Sequence, residues 1–485
     1  MQIKIIIRTF IKSISYIGAL VLVSWGVQEL ANKKDACIND KNTLLKMICF
    51  SQKVNSKINT ELNILTKSLK PLIEEGEINP RGSDLLSKER FKNYNEGFSF
   101  SYLKSNGTER GFLLLSRIDP NLMIPKIELW DLTQQKIIHK WEINVENLIQ
   151  EININYNDKK VLRFLHPLLL KDGSIITHIQ PEHRNTELLK FDYCGNLTKI
   201  RANNLGYHHS IEKDDEGNIF VPIARAPKPS KYYSNYEKFS EEYRNEGIAI
   251  LNSDLEIKEI IALDEIFDSI GLLRHINSSP KSINDPYHLN DVHPFKDKKN
   301  NLNLLLSMRH FGLISYNHNN KKVNWVSYGL TDFQHDISPY LDSQSIFTIF
   351  DNGDSTNQSL KQHEGNTIIK LDFTKLIDND EKTIVIFGKS PNLTNVDITR
   401  INFKNLDNNL IPNSRTEGRG RFIDESRIYI EETNYGRAFV YNIDTKKIDW
   451  SYYNKGLDGY SRFLSWSRYL ENVPQIFKKE NICQK

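Results

Sequence analysis

Between residues 98 and 455 the chain runs six times through one pattern, in which short β-branched and aromatic runs are separated by turn signals such as Asp-Gly and Gly-Asn. Runs of that kind, bounded by such turns, do not continue as helices, so this stretch reads as all-β. The first unit holds strands at 112–116, 127–131 and 137–141. The second opens at His166-Pro167, turns at Asp172-Gly173 and passes through 188–191. The third opens at His208-His209, turns at Glu216-Gly217-Asn218 and continues through 247–251. The fourth opens at His288 and includes 304–309, 312–316 and 323–325. The fifth opens at His335 and includes 346–350, 367–371 and 383–387, and the sixth opens near Gly418 with 427–431, 436–441 and 448–450.

Six units of roughly 35 to 55 residues, each with room for about four strands, predict a six-bladed β-propeller. One unit alone cannot bury both faces of its sheet, so the units must stack around an axis. The sixfold spacing disfavours the competing two-sheet sandwich. Trp141, Trp325 and Trp450 close three of the units and are expected to pack blade against blade. The propeller is assigned to 98–455, which leaves 456–485 as a C-terminal extension.

Ahead of the repeats, Lys4, Arg8 and Lys12 precede an uncharged stretch over 13–28. That order is the pattern of an export signal, so residues 1–30 are read as a signal anchor or signal peptide. No small-x-small cleavage site follows, which favours a single uncleaved helix in the inner membrane with the body on the periplasmic side. Residues 31–97 are read as a helical stalk and linker. Leu45, Ile48, Val54, Ile58, Leu62, Leu65, Leu69 and Leu72 recur at amphipathic-helix spacing, and Gly76, Pro80 and Gly82 mark the linker. Four cysteines are too few for a disulfide scaffold and lack zinc-finger spacing. In an exported chain Cys37 and Cys49 are a candidate local disulfide, with two free thiols as the alternative. Lys and Arg number 64 against 61 Asp and Glu, and the bases are dispersed, which argues against a nucleic-acid partner.

Propeller geometry brings equivalent blade-start positions to one axis, however far apart they lie in sequence. His166, His209, His288 and His335 occupy such positions in four successive units. A lone histidine is most often structural, but four in register point to a shared site.

Their neighbours carry a resemblance. His208-His209-Ser210 comes first, then Asp285, His288 and Asn290 in an Asp-x-x-His-x-Asn segment. Ser307 and Arg309, Gln334-His335 and Asp351-Asn352-Gly353 follow in that order. In this sequence of motifs the chain resembles the bacterial aryl sulfotransferase family, whose members move sulfuryl groups between phenols without a nucleotide donor. The likeness spans 206–354 and extends through Gly436-Arg437 and Trp450 to about 455. It implies a six-bladed propeller and a role for each matching residue. His335 would be the nucleophile that carries a transient sulfo group. His209 and His288 would bind sulfate oxygens or shuttle a proton, and Arg309 would hold the negative charge. Asn290, His208 and Thr416 would contact substrate. Two features depart from the family pattern. Pro286-Tyr287 stands where a tryptophan is usual, and the interval from Arg309 to His335 is short, both on the acceptor side.

These residue types suit the chemistry. A neutral imidazole can split transfer into two displacements, and fixed donors can hold the sulfuryl oxygens. The implied partners are a small aryl sulfate and a phenolic acceptor, with no metal or cofactor required. A non-catalytic exported propeller that binds a sulfated or acidic ligand is the second reading. A metal held by His209, His288 and His335 is the third, disfavoured by the cation of Arg309. His166 is in register but is given no role.

Overall fold

An aspartate carboxylate closes one hairpin after another. Asp192 accepts the backbone N–H groups of Cys194 and Asn196, Asp214 that of Asn218, and Asp297 those of Lys299 and Asn301. The fourth residue of each turn is left-handed, with φ of 90° at Gly195, 84° at Gly217 and 62° at Asn300. Glycine and asparagine adopt that conformation most readily, so a repeated Asp-x-x-Gly/Asn-Asn string is a repeated turn.

In the computed structural model the described residues are 90–485, apart from 101–110, 153–161, 181–185, 202–204, 227–243, 274–284, 354–364, 376–383, 388–395, 415, 479–482 and 484–485. The signal segment, the amphipathic pattern from Leu45 to Leu72, Cys37 and Cys49 lie outside them. Among the described residues no helix is long and apolar enough to cross a membrane.

The strands form six sheets arranged as six blades, antiparallel throughout except for one edge pairing in blade four. Blade two is built from Arg163–Leu169, Ile175–Gln180, Glu187–Phe191 and Leu197–Arg201. Blade three has Glu212–Lys213, Ile219–Ile223, Gly247–Leu251 and Ile257–Ala262. Blade four has Leu289–Lys296, Leu302–Met308, Gly312–Asn317 and Lys322–Tyr328. Blade five has His335–Pro339, Ile346–Asp351, Thr367–Asp372 and Asp397–Ile401, and blade six has Arg419–Phe422, Arg427–Glu432, Arg437–Asn442 and Lys447–Tyr453. The repeat reading of the fifth unit is corrected at one strand. Ile384–Phe387 leaves blade five and pairs in parallel with Lys322–Tyr328 on the edge of blade four, while Asp397–Ile401 fills the outer position of blade five.

Blade one is assembled from both ends of the propeller. Phe112–Ile118, Pro125–Asp131 and Lys136–Lys140 lack an inner strand of their own, and Arg468–Leu470 supplies it, with Leu114 opposite Arg468. This strand lies within the 456–485 stretch. Gly97–Phe100 adds a fifth strand to blade six, with Phe100 opposite Trp450. The ring is therefore closed by hydrogen bonds at two seams. A disulfide between Cys194, in a blade-two hairpin, and Cys483 ties down the C-terminal end.

Six apolar clusters lie between the six pairs of neighbouring blades. Both faces of each inner sheet are thus covered, which is why strands such as Phe112–Ile118 are apolar almost continuously rather than alternately. Trp141, Trp325 and Trp450 are buried in three of these clusters, as blade-to-blade packing requires. At the start of blade six the approach is closer still. A Cβ at Gly418 would collide with the Phe350 ring of blade five, so this position admits only glycine.

Candidate active site

The starts of the inner strands share an unusual backbone. His166, His209, His288 and Trp466 have φ of 52°, 58°, 52° and 59°, and Gly418 has φ of 150° at the corresponding place in blade six. Non-glycine residues seldom hold the left-handed conformation, and a set of them at equivalent positions marks a part of the fold under functional constraint. In blade five two residues flanking His335 are left-handed, Phe333 with φ of 56° and Asp336 with φ of 39°.

These positions converge. The His209 ring centroid lies 5.6 Å from that of His288, 5.8 Å from His335 and 5.7 Å from Trp466. Trp466 also faces His335 at 6.0 Å and His166 at 5.3 Å. The structure thus brings His209, His288 and His335 together and adds Trp466, which the sequence reading did not name. Its signal was indirect: the first unit starts on its second strand, so its inner strand had to come from elsewhere.

His335 is fully buried, and its tautomer is set by Asn352. The Asn352 side-chain nitrogen donates to the carbonyls of Ser414 (2.8 Å) and Glu417 (3.1 Å), so its Oδ1 faces His335 Nδ1 at 2.7 Å. Because that oxygen can only accept, Nδ1 carries the proton. Nε2 then presents its lone pair, with no hydrogen-bond partner. Burial first, and the Arg309 charge second, lower the imidazole pKa to about 3. His335 is therefore a neutral imidazole at neutral pH. Gln334 fixes the preceding backbone by donating to the Met308 and Gly312 carbonyls of blade four.

The other predicted residues fall in distinct places. The Arg309 guanidinium sits 5.0 Å over the Phe333 ring, and its charge is felt at His335. The Asn290 amide nitrogen donates to the Gln334 carbonyl at 2.7 Å, which leaves its Oδ1 as the buried atom without a partner. His208 lies against His209 at 5.0 Å and 3.5 Å from the Glu246 carboxyl, and burial lowers its pKa to about 3. Thr416 is exposed just before the inner strand of blade six, and its hydroxyl accepts from Asn434 at 3.1 Å. His166 Nδ1 accepts the Ile211 N–H at 2.8 Å, so this histidine stitches blade two to blade three.

Beneath the histidines lies a buried ionic layer. Glu212 pairs with Arg421 (2.6 Å), Arg468 (2.9 Å) and Arg419 (3.4 Å). Asp336 pairs with Arg419 and Arg421, both at 3.0 Å. Burial opposes ionisation of both acids, but the guanidinium charges outweigh it and hold them below the usual carboxylate range. Asp291 differs: burial, with Asp336 and Glu212 nearby, pushes it up to about 7. Three guanidinium groups against two firmly ionised acids leave positive charge under the site, where an anion is favoured.

Asp285, His288 and His310 offer ligand atoms within 4.8 Å of one another, the arrangement among the described residues that could hold a metal ion. Asp285 already accepts from His288 at 2.5 Å and from Arg244 at 3.3 Å, so a metal there has to replace the proton of the first bond and compete with the guanidinium of the second.

The family model described as Arylsulfotransferase (ASST) matches residues 166–455. No curated protein matches the chain. Among solved structures, a chain of a nidogen/laminin complex is similar over 74% of this chain and 98% of its own, with 9% identity and a TM-score of 0.39. A Bacteroides caccae protein of unknown function is similar over 75% of this chain and 100% of its own, with 11% identity and a TM-score of 0.41.

Proposed function

The chain belongs to the Arylsulfotransferase (ASST) family, and from that premise we propose that it moves a sulfuryl group from an aryl sulfate to a phenol through a sulfohistidine at His335. Family membership implies a sulfotransferase enzyme; the donor, the acceptor and the intermediate are our reading. The observation that carries it is the fixed tautomer of His335, with Nδ1–H held by Asn352 and the Nε2 lone pair directed away from it.

In the first half-reaction Nε2 attacks sulfur and the phenolate leaves. In the second, a phenol oxygen attacks the same sulfur and the N–S electron pair returns to Nε2. Negative charge on the sulfuryl oxygens is met by Arg309 and by the positive layer formed by Arg419, Arg421 and Arg468. His209, His208, Asn290 and Thr416 are the remaining substrate contacts in this scheme.

We include export to the periplasmic side, with the N-terminal segment as the membrane partner. The Cys194–Cys483 disulfide supports an oxidising compartment. Incubation of the full chain with phenyl sulfate and a second phenol tests the reaction. Release of phenol with formation of the second aryl sulfate is expected, with ping-pong kinetics. Binding of the donor without transfer would instead favour a non-catalytic, anion-binding propeller.

A further inference from the structure

We propose that Asp285 is a positioning residue that makes His288, and not His209, the group carrying the phenol's proton in both half-reactions. This rests on the sulfuryl-transfer reading above, which leaves the proton to either histidine.

The two rings differ in what stands behind them. His288 Nδ1 lies 2.5 Å from Asp285 Oδ2. A carboxylate oxygen only accepts, so Nδ1 holds a proton and Nε2 is the atom free to exchange one. The aspartate is itself held. His310 Nδ1 donates to its backbone carbonyl at 2.7 Å, and the backbone N–H groups of Arg309 and His310 donate to the His288 and Tyr287 carbonyls. Burial raises the Asp285 pKa, but the hydrogen bond and charge of His288, with Arg244, outweigh it and bring the carboxyl to about 2. A proton arriving at His288 thus meets a fixed counter-charge.

His209 has nothing comparable. It is 9% exposed, its Nδ1 has no hydrogen-bond partner, and no carboxylate forms an ion pair with it among the described residues. Burial and the neighbouring rings of His208, His288 and His335 all oppose its protonation. An imidazolium there lacks compensation, whereas one at His288 has it.

The steps balance. As the aryl O–S bond breaks and the His335 Nε2–S bond forms, His288 Nε2 gives its proton to the departing phenolate. In the return step the phenol gives its proton to His288 Nε2 as the O–S bond forms and the N–S bond breaks.

The test compares donors that differ in their need for that proton. In Asp285→Asn, kcat for phenyl sulfate is expected to fall by about 100-fold, while kcat for 4-nitrophenyl sulfate, whose phenolate leaves unaided, falls by less than about fivefold. KM for both is expected to stay near the wild-type value, and Asp285→Glu to restore part of the loss. In His209→Gln the two donors are expected to lose equally. Nitrogen-15 NMR should show His288 protonated at Nδ1 in the wild type and no longer fixed there in Asp285→Asn. An equal loss on both donors in Asp285→Asn, or a donor-dependent loss in His209→Gln, overturns the assignment. If the wild type acquires no sulfo group at all, the transfer reading falls and this role with it. A normal adduct with a flat donor dependence removes this role alone.

Discussion

In His335→Ala, sulfuryl transfer from phenyl sulfate is expected to drop by on the order of 10⁴-fold or more, to the level set by binding alone. The size of the effect follows from the proposed route. Without Nε2 there is no acceptor for the first displacement, and direct attack by a phenol has to bridge two substrates at one sulfur. The variant also leaves Asn352 Oδ1 without its partner, a cost of about 1–3 kcal/mol. Native-like circular dichroism and a retained thermal transition separate lost chemistry from lost fold. Transfer at more than about one tenth of the wild-type rate would place the nucleophile elsewhere.

The second large effect is on stability. Glu212→Gln keeps the shape of the side chain but removes the charge that Arg421, Arg468 and Arg419 share. Asp336 remains as partner to Arg419 and Arg421, yet Arg468 loses the one carboxylate that pairs with it among the described residues. Breaking a buried ionic group by removing one partner typically costs about 3–5 kcal/mol, because a charge stays buried without compensation. The matching change at an exposed pair, Asp254→Asn opposite Lys190, is expected to cost less than about 1 kcal/mol. Denaturant unfolding of the two variants measures the contrast. Equal, small losses would mean that water reaches the layer and screens it.

The features that were legible in the sequence are those with a local signal. Turn strings such as Asp192 to Asn196 and Asp214 to Asn218 announce hairpins, and apolar runs between them announce strands buried on both faces. Because inner strands start near the axis, four histidines at unit starts could be grouped before any coordinate was known. The features that stayed hidden depend on pairing between distant segments. Arg468–Leu470 is short and carries no repeat signal, so neither the inner strand of blade one nor Trp466 beside it could be placed from local pattern. Ile384–Phe387 looks like any edge strand, and only its parallel pairing assigns it to blade four.

Hydrogen-bond direction was equally out of reach. His166 shares its backbone conformation with His209 and His288, but the N–H of Ile211 takes up its Nδ1 and makes it a joint between blades. The amide nitrogen of Asn290 supports the Gln334 backbone, and Thr416 is exposed beside Asn434, neither of which spacing could reveal. The acids and arginines of the buried layer are spread from Glu212 to Arg468, and each alone reads as an ordinary surface charge.

The most direct test of the account is the intact mass of the full chain after exposure to phenyl sulfate without an acceptor. The prediction is a gain of one sulfo group, localised to His335 and discharged when a phenol is added. Turnover without any such adduct, or an adduct that forms equally in His335→Ala, would contradict it.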